Sequence, residues 1–439
     1  MGVVREAVAA RVTRGEGLEA LRARTRAWLA RHDVRVALAA TLALRLATSL
    51  FTALLVSGFG DTYRHVIEKR NVQAPSLGIT LVPVSLDGLA SYLTGPWLRW
   101  DADIYVLIAR GGYSFYRSTA FMPLYPLLVR LGSYLTGGHF VVSALLVSTA
   151  ATFAALSQLH RLAFRLTGTQ RVADFTVLVA CLLPVAFFFV APYSESLFLA
   201  LSLACILAAL DGRWAQAAAW AALAALARQQ GALLGVLAVP AIWAAIRAAW
   251  NTHAPFAARL RSAWEGASRP ALVPLASVGI YAAWLGVLAF WLRVPTPVQA
   301  LTSQQGWNQH FTLPGLGVLA DLALLVRQPG MIPLNYLGVP LDASAALVTA
   351  ALLIVAWQRL PAGLGFYLLA CWCVAVVKVQ PGGETVSAAR YLLAALPLAA
   401  VPATWLARGR PALRVGYVAL AFLVWIMFLS EWVFWSWVN

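Results

Sequence analysis

Apolar stretches of about 20 residues recur almost from end to end of this chain, each long enough to cross a hydrocarbon core of roughly 30 Å. That recurrence predicts an all-α multi-pass membrane protein. Of the 439 residues, 61% are hydrophobic and 11% charged, against about a quarter charged in an ordinary soluble protein. A soluble globular fold is thereby excluded. Crossings are expected at roughly 36–57, 139–160, 172–190, 194–210, 214–228, 231–249, 271–292, 342–358, 363–379, 388–406 and 413–434. These make about eleven transmembrane helices, with 214–228 short enough to be a half-crossing.

The net charge of +16 would suggest nucleic acid in a soluble chain. In a membrane protein it sets orientation instead, and no nucleic-acid partner is expected. Arg5, Arg11, Arg14, Arg22, Arg24, Arg26, Arg31 and Arg35 precede the first span and hold the N-terminus in the cytoplasm. Following the spans from there places 20 of the 33 basic residues inside. Asp61, Glu68, Asp87, Asp101, Asp103, Asp321 and Asp342 fall on the opposite face, in or beside the long outer loops 58–138 and 293–341. The expected organisation is a basic cytoplasmic tail, 1–35, and one transmembrane domain, 36–439. The tail reads either as an interfacial helix on anionic lipid or as a solvated arm; it is too long and too charged for an ordinary signal peptide. Lysine occurs only at Lys69 and Lys378, and alanine is abundant, a bias typical of GC-rich bacterial genomes.

Cys181, Cys205, Cys371 and Cys373 all lie in apolar segments and do not form a secreted disulfide pattern. The six histidines are scattered, with no metal-binding spacing. No Walker loop, dinucleotide fingerprint or repeat of 20–50 residues is present. The cytoplasmic pieces, the tail and 250–270, are too small for a nucleotide domain, so an activated substrate must arrive by another route.

The first outer segment carries Arg99-Trp100-Asp101-Ala102-Asp103-Ile104-Tyr105, then an apolar run ending at Gly111-Gly112. Asp101 is placed to cap a short helix over 102–110, with Ile104, Tyr105, Leu107 and Ile108 pressed on the membrane surface. The same two carboxylates, beside Trp100 and Arg99, also suit an acid/base site. Spacing leaves both readings open.

Four segments resemble the GT-C membrane glycosyltransferases, most closely the PIG-V-type mannosyltransferases that add the second mannose of GPI anchors. They are Trp100-Asp101-Ala102-Asp103 running to Gly112-Tyr113, Phe121-Met122-Pro123-Leu124-Tyr125-Pro126, Ala191-Pro192-Tyr193-Ser194-Glu195-Ser196-Leu197-Phe198, and Ala389-Arg390-Tyr391. Arg228-Gln229-Gln230-Gly231 departs from the family's pattern, which would have Arg, a small polar residue, Asn and Gly. The match resembles a bacterial relative rather than a GPI enzyme.

The resemblance implies a GT-C fold and transfer of a sugar, mannose first, from a polyprenyl-phosphate donor to an acceptor hydroxyl on the extracytoplasmic face of the cell membrane, with inversion. Membrane lipid, the lipid-phosphate sugar and a lipid or glycolipid acceptor are then the partners. No cofactor is expected, and a metal-free mechanism is the starting assumption. On that reading Asp101 is the base and Asp103 orients acceptor or water. Arg390, then Arg228, then Lys378 with the Pro381-Gly382-Gly383 turn, receive the donor phosphate. Trp100, Tyr193, Glu195, Trp307 and His310 are the candidate substrate contacts. Each of these cations also has an ordinary reading as an interfacial side chain. Arg45, mid-span, is assigned a structural partner, Trp425 to Trp437 an aromatic belt, and 315–327 an interfacial helix. The rival function is a lipid or small-molecule transporter, which would place its ionisable residues at the midplane and show paired repeats. Acceptors on protein Ser or Thr keep the chemistry and change only the partner.

Overall fold

In the helix His32–Gly58, leucines 38, 42, 46, 50 and 54 fall four apart and are exposed, while Ala37, Thr41, Leu44, Thr48 and Thr52 are buried. This spacing puts one row of leucines toward lipid and a row of small residues toward the protein. The threonines are compatible with burial because Thr48 returns its hydroxyl proton to the Leu44 carbonyl at 2.8 Å.

The computed structural model describes residues 30–73, 81, 82, 84, 88–327 and 337–434. The tail through residue 29, Asp87, Trp435 and Trp437 lie outside the described residues. Each expected crossing has a helical counterpart, and the chain is an all-α multi-pass membrane protein. Among the described residues, seven segments are long and apolar enough to cross by length and composition: His32–Gly58, Phe140–Thr167, Gln229–Trp250, Phe256–Trp291, Gly338–Arg359, Ala388–Arg408 and Pro411–Val433. Glu195–Leu210, Trp214–Ala227 and Ala362–Val376 are apolar but shorter. The segment expected at 172–190 is a helix, Gln170–Cys181, followed by a 3-10 turn, Ala186–Phe189. Eleven is therefore the number of apolar segments, not an established number of full crossings.

Contacts between helix ends agree on a single alternating path. At one end, Trp432 donates to the Pro96 carbonyl, Arg99 to the Val433 carbonyl, and the Ala389 amide to Asp342. At the other, His32 meets Asp174, and Arg165 pairs with Asp211. The alanine-rich helix Trp214–Ala227 buries Ala217, Ala221 and Ala224 completely, and packs closely between Glu195–Leu210 and Phe256–Gly286. Small side chains permit that approach.

Three expectations change. The long helix begins at Phe256, not near residue 271, and carries Pro270 and Pro274 within it. Trp425 and Trp432 form no interfacial belt: they are 3% and 0% exposed, and Trp432 packs tilted against Phe187 and edge-on to Phe188 and Tyr193. Ile104, Tyr105 and Ile108 are buried in the protein instead of resting on lipid, with Tyr105 edge-on to Phe121 and Tyr125. Two readings hold. The helix Leu316–Arg327 forms where expected, and Arg45 is structural: its guanidinium donates to Thr149 and to the Leu145 and Val190 carbonyls and lies over Trp97.

Candidate active site

Asp101 opens the helix Asp101–Gly111, whose cap position is Trp100 with φ 52° and ψ −120°. Asp101 is thus not the cap; its carboxylate is turned away to an ion pair with Arg390, Nη1 to Oδ2 2.7 Å. Gly112, at φ 78°, ends the helix with its amide on the Ile108 carbonyl. Trp100, Asn308 and Ser387 are three of the four non-glycine residues at positive φ among those described. They directly precede or closely flank Asp101, Gln309 and Arg390. Backbone strain of about 1–3 kcal/mol per residue is concentrated here.

Arg228 stands at the junction of Trp214–Ala227 and the following 3-10 segment, in extended conformation. Gly231 makes the junction possible: a Cβ there would lie 2.2 Å from the Ala225 nitrogen. Arg228 pairs with Glu195 at 2.5 Å, and Arg390 Nε lies 3.3 Å from the same Glu195 oxygen. Asp101, Arg390, Glu195 and Arg228 therefore form one buried chain of alternating charge. Lys378 lies 3.3 Å from the ring centroid of Tyr391, over whose face Arg228 and Arg390 also sit. Burial holds the Lys378 ammonium below the ordinary lysine value, against the pull of Tyr391. No ion pair to a carboxylate is found for Lys378 among the described residues.

These groups surround a cavity of about 570 Å³ lined by Trp100, Asp101, Arg228, Trp307, Lys378 and Arg390 among others. Three cations against two carboxylates leave an excess positive charge, suited to an anion. Gln309, which sequence reasoning passed over between Asn308 and His310, also lines the cavity. Among the described residues, its Oε1 and the Trp307 Nε1 are buried without a hydrogen-bond partner. An acceptor and a donor left unpaired at a cavity wall suit sugar hydroxyls. Gln230, where the sequence departs from the family, lines the cavity too and donates to the Tyr391 carbonyl at 3.2 Å.

Not every candidate reaches the cavity. Asp103 is 1% exposed and bound by Arg70, Nε to Oδ2 3.3 Å, while Arg70 Nη2 also donates to the Val82 carbonyl at 3.0 Å. It is held in a buried ion pair and does not line the cavity. Removing both partners together is expected to cost less stability than the two single losses combined, by about 0.5–3 kcal/mol; thermal unfolding of Asp103→Leu, Arg70→Leu and the double variant checks this. Tyr193 and Glu195 sit behind the wall, Tyr193 donating to the Arg99 carbonyl. His310 is exposed, in a two-residue ribbon opposite Val379. The Pro381-Gly382-Gly383 turn is no anion nest: the Gly383 amide is already given to the Gln380 carbonyl, and Glu384 packs against Gly382.

Behind the loop that carries Lys378 and Arg390, Thr385 bridges two buried carboxylates. Its hydroxyl is 2.5 Å from Asp321 and 3.5 Å from Asp342, and its amide donates to Asp321. Burial raises the Asp321 carboxyl to about 6, opposed by the Thr385 hydrogen bonds. The folded chain then holds a proton that the unfolded chain releases above its ordinary value of 3.8. Stability should fall as pH rises from about 4 through 6 and change little from this group above that. Thermal midpoints across the window should lose part of this slope in Asp321→Asn. Thr385→Val should cost about 1–3 kcal/mol by leaving buried acceptors unpaired.

The chain is thus a multi-pass helical membrane protein with a buried acid, an excess of cations and a cavity at one end of its helices. Residues 44–242 match the family model described as mannosyltransferase (PIG-V). This bears out the resemblance read from the sequence; the match includes the first three of its four segments but not Ala389-Arg390-Tyr391. The chain is 36% identical over 124 residues to GPI alpha-1,6-mannosyltransferase 2 of Cricetulus griseus, covering 26% of this chain and 25% of that one. It is 31% identical over 133 residues to GPI mannosyltransferase 2 of Drosophila melanogaster, covering 27% and 30%. The aligned stretch thus spans about a quarter of the curated relatives' length. Solved structures with similarity include ArnT from Cupriavidus metallidurans, with TM-score 0.42, 15% identity, and coverage of 83% of this chain and 62% of that one. Another is the archaeal oligosaccharyltransferase AglB from Archaeoglobus fulgidus, with TM-score 0.42, 10% identity, and coverage of 90% and 56%.

Proposed function

We propose that the chain is a GT-C-type glycosyltransferase that moves mannose from a polyprenyl-phosphate donor to an acceptor hydroxyl, inverting the anomeric carbon. The observation carrying this reading is the shared cavity: Asp101 and the cations Arg228, Lys378 and Arg390 line it together, an arrangement that a base and a phosphate site require. The acceptor oxygen attacks the anomeric carbon while Asp101 takes its proton. The bond from that carbon to the phosphate oxygen breaks, and the lipid phosphate leaves with the electron pair.

Lys378 leads as phosphate ligand, since Arg390 and Arg228 are already engaged with carboxylates. Arg390 has more N–H groups than those contacts use, so it can serve phosphate and Asp101 at once. As phosphate draws on its charge, Asp101 becomes the stronger base. Trp307 and Gln309 receive the sugar hydroxyls. The arginine-rich helix ends lie opposite the cavity, which supports an extracytoplasmic site by the positive-inside rule. The membrane setting supports a lipid or glycolipid as the acceptor.

The test is transfer by purified protein from polyprenyl-phosphate mannose, with a nucleotide-linked mannose as the control donor. Transfer from the lipid donor alone is expected; transfer from the nucleotide donor, or none from either, counts against the proposal. In the same assay Lys378→Met should raise the donor concentration needed by roughly 10- to 100-fold, since a hydrogen bond to a charged group is worth about 1.5–3 kcal/mol.

A further inference from the structure

At the helix ends remote from the cavity, three side chains far apart in sequence converge. His32 starts the first long helix, His160 lies in the last turns of Phe140–Thr167, and Asp174 lies early in Gln170–Cys181. Nε2 of His32 is 2.7 Å and Nε2 of His160 is 2.9 Å from the same oxygen, Asp174 Oδ1. The ligand atoms of all three lie within 4.8 Å of one another, and the two rings are 5.4 Å apart. The scatter of histidines along the sequence is gathered here by three neighbouring helices.

We propose that His32, His160 and Asp174 form a binding site for a divalent transition metal, with zinc the best match. Two imidazole nitrogens and a carboxylate oxygen are common zinc donors at about 2.0–2.2 Å, and a tetrahedral ion accepts a fourth ligand. The approach is open on one side only: His160 is 2% exposed, whereas the His32 and Asp174 side chains are 41% and 39% exposed. Water from that side supplies the fourth ligand. Both imidazoles bind as neutral rings through Nε2 and keep their remaining proton on Nδ1. The neighbouring cation Arg31 is neutralised by Asp33 at 2.6 Å, so its charge opposes the ion little. The site joins segments 142 residues apart on the face opposite the cavity. Its role is to staple the first long helix to its neighbours, without part in transfer.

The test uses the full chain in detergent, with any affinity tag removed, titrated with zinc by calorimetry and followed by thermal unfolding. One equivalent of zinc is expected to bind the wild type and raise its unfolding midpoint. His32→Gln, at a half-exposed position that tolerates change, and Asp174→Asn, which keeps the shape, should each weaken binding by more than the roughly 10- to 100-fold that outer-shell partners cost. Neither variant's midpoint should respond to zinc at the concentration that saturates the wild type. Absence of zinc binding by the wild type, or binding unchanged in both variants, overturns the proposal and leaves a hydrogen-bonded triad only.

Discussion

Replacing Asp101 by asparagine is expected to remove nearly all sugar transfer while the chain still folds and inserts. An amide cannot take the acceptor proton, and loss of a general base typically costs about 10² to 10⁴ in rate. The substitution keeps the shape of the side chain at the start of its helix. Arg390 keeps its second contact, to Glu195 at 3.3 Å, so the charge chain is shortened rather than dismantled. Rates from purified protein, with thermal midpoints measured on the same samples, check this. Full activity in a correctly folded Asp101→Asn sample removes Asp101 from the chemistry and moves the base to another cavity group.

Arg390→Ala should have the largest effect on stability, of about 3–5 kcal/mol, the range seen when one partner of a buried ion pair is removed. Two carboxylates depend on this guanidinium: Asp101 at 2.7 Å and Glu195 at 3.3 Å, with Arg390 itself 7% exposed. Its loss strands Asp101 without its arginine and leaves Glu195 to Arg228 alone. The variant should therefore unfold at a lower temperature and lose transfer through damage to the site, beyond any weakening of donor binding. Arg390→Lys should recover only part of both properties, because a point charge cannot reach two carboxylates with the geometry of a planar fork. Unfolding midpoints of the three proteins, set beside donor titrations, separate the effects. An Arg390→Ala protein as stable as wild type contradicts the charge chain.

Much of this site was legible in the sequence, and the reason is topological. Once the apolar segments alternate in direction, Asp101, Glu195, Arg228, Lys378 and Arg390 all fall at helix ends on one face, whatever the separation along the chain. Periodicity and charge placed these residues on that face, and the resemblance to the GT-C glycosyltransferases singled them out as the candidate site. They did not show how those residues pair, because pairing depends on contacts between distant segments. Arg70 meets Asp103 from 33 residues away and Arg99 reaches the Val433 carbonyl across 334 residues, and no local pattern marks either.

The same limit explains the tryptophans of the last helix. Trp425 and Trp432 have the composition of an interfacial belt, but the helix turns them inward onto Phe51, Phe187 and Phe188. Asp101 was open to two local readings, cap or site, and the positive φ of Trp100 is what turns it from the cap position toward Arg390. The gathering of His32, His160 and Asp174 was invisible for the same reason: three helices meet there, each contributing one residue with no spacing signal of its own.

The most direct measurement is a structure of the Asp101→Asn protein bound to polyprenyl-phosphate mannose, with transfer blocked so that the donor persists. The donor phosphate should lie within hydrogen-bond reach of Lys378 and Arg390, with the sugar against Trp307 and Gln309. The anomeric carbon should face residue 101 with room between them for one acceptor oxygen. A donor phosphate bound outside this cavity, or a sugar directed away from residue 101, contradicts the assignment of this cavity as the catalytic site.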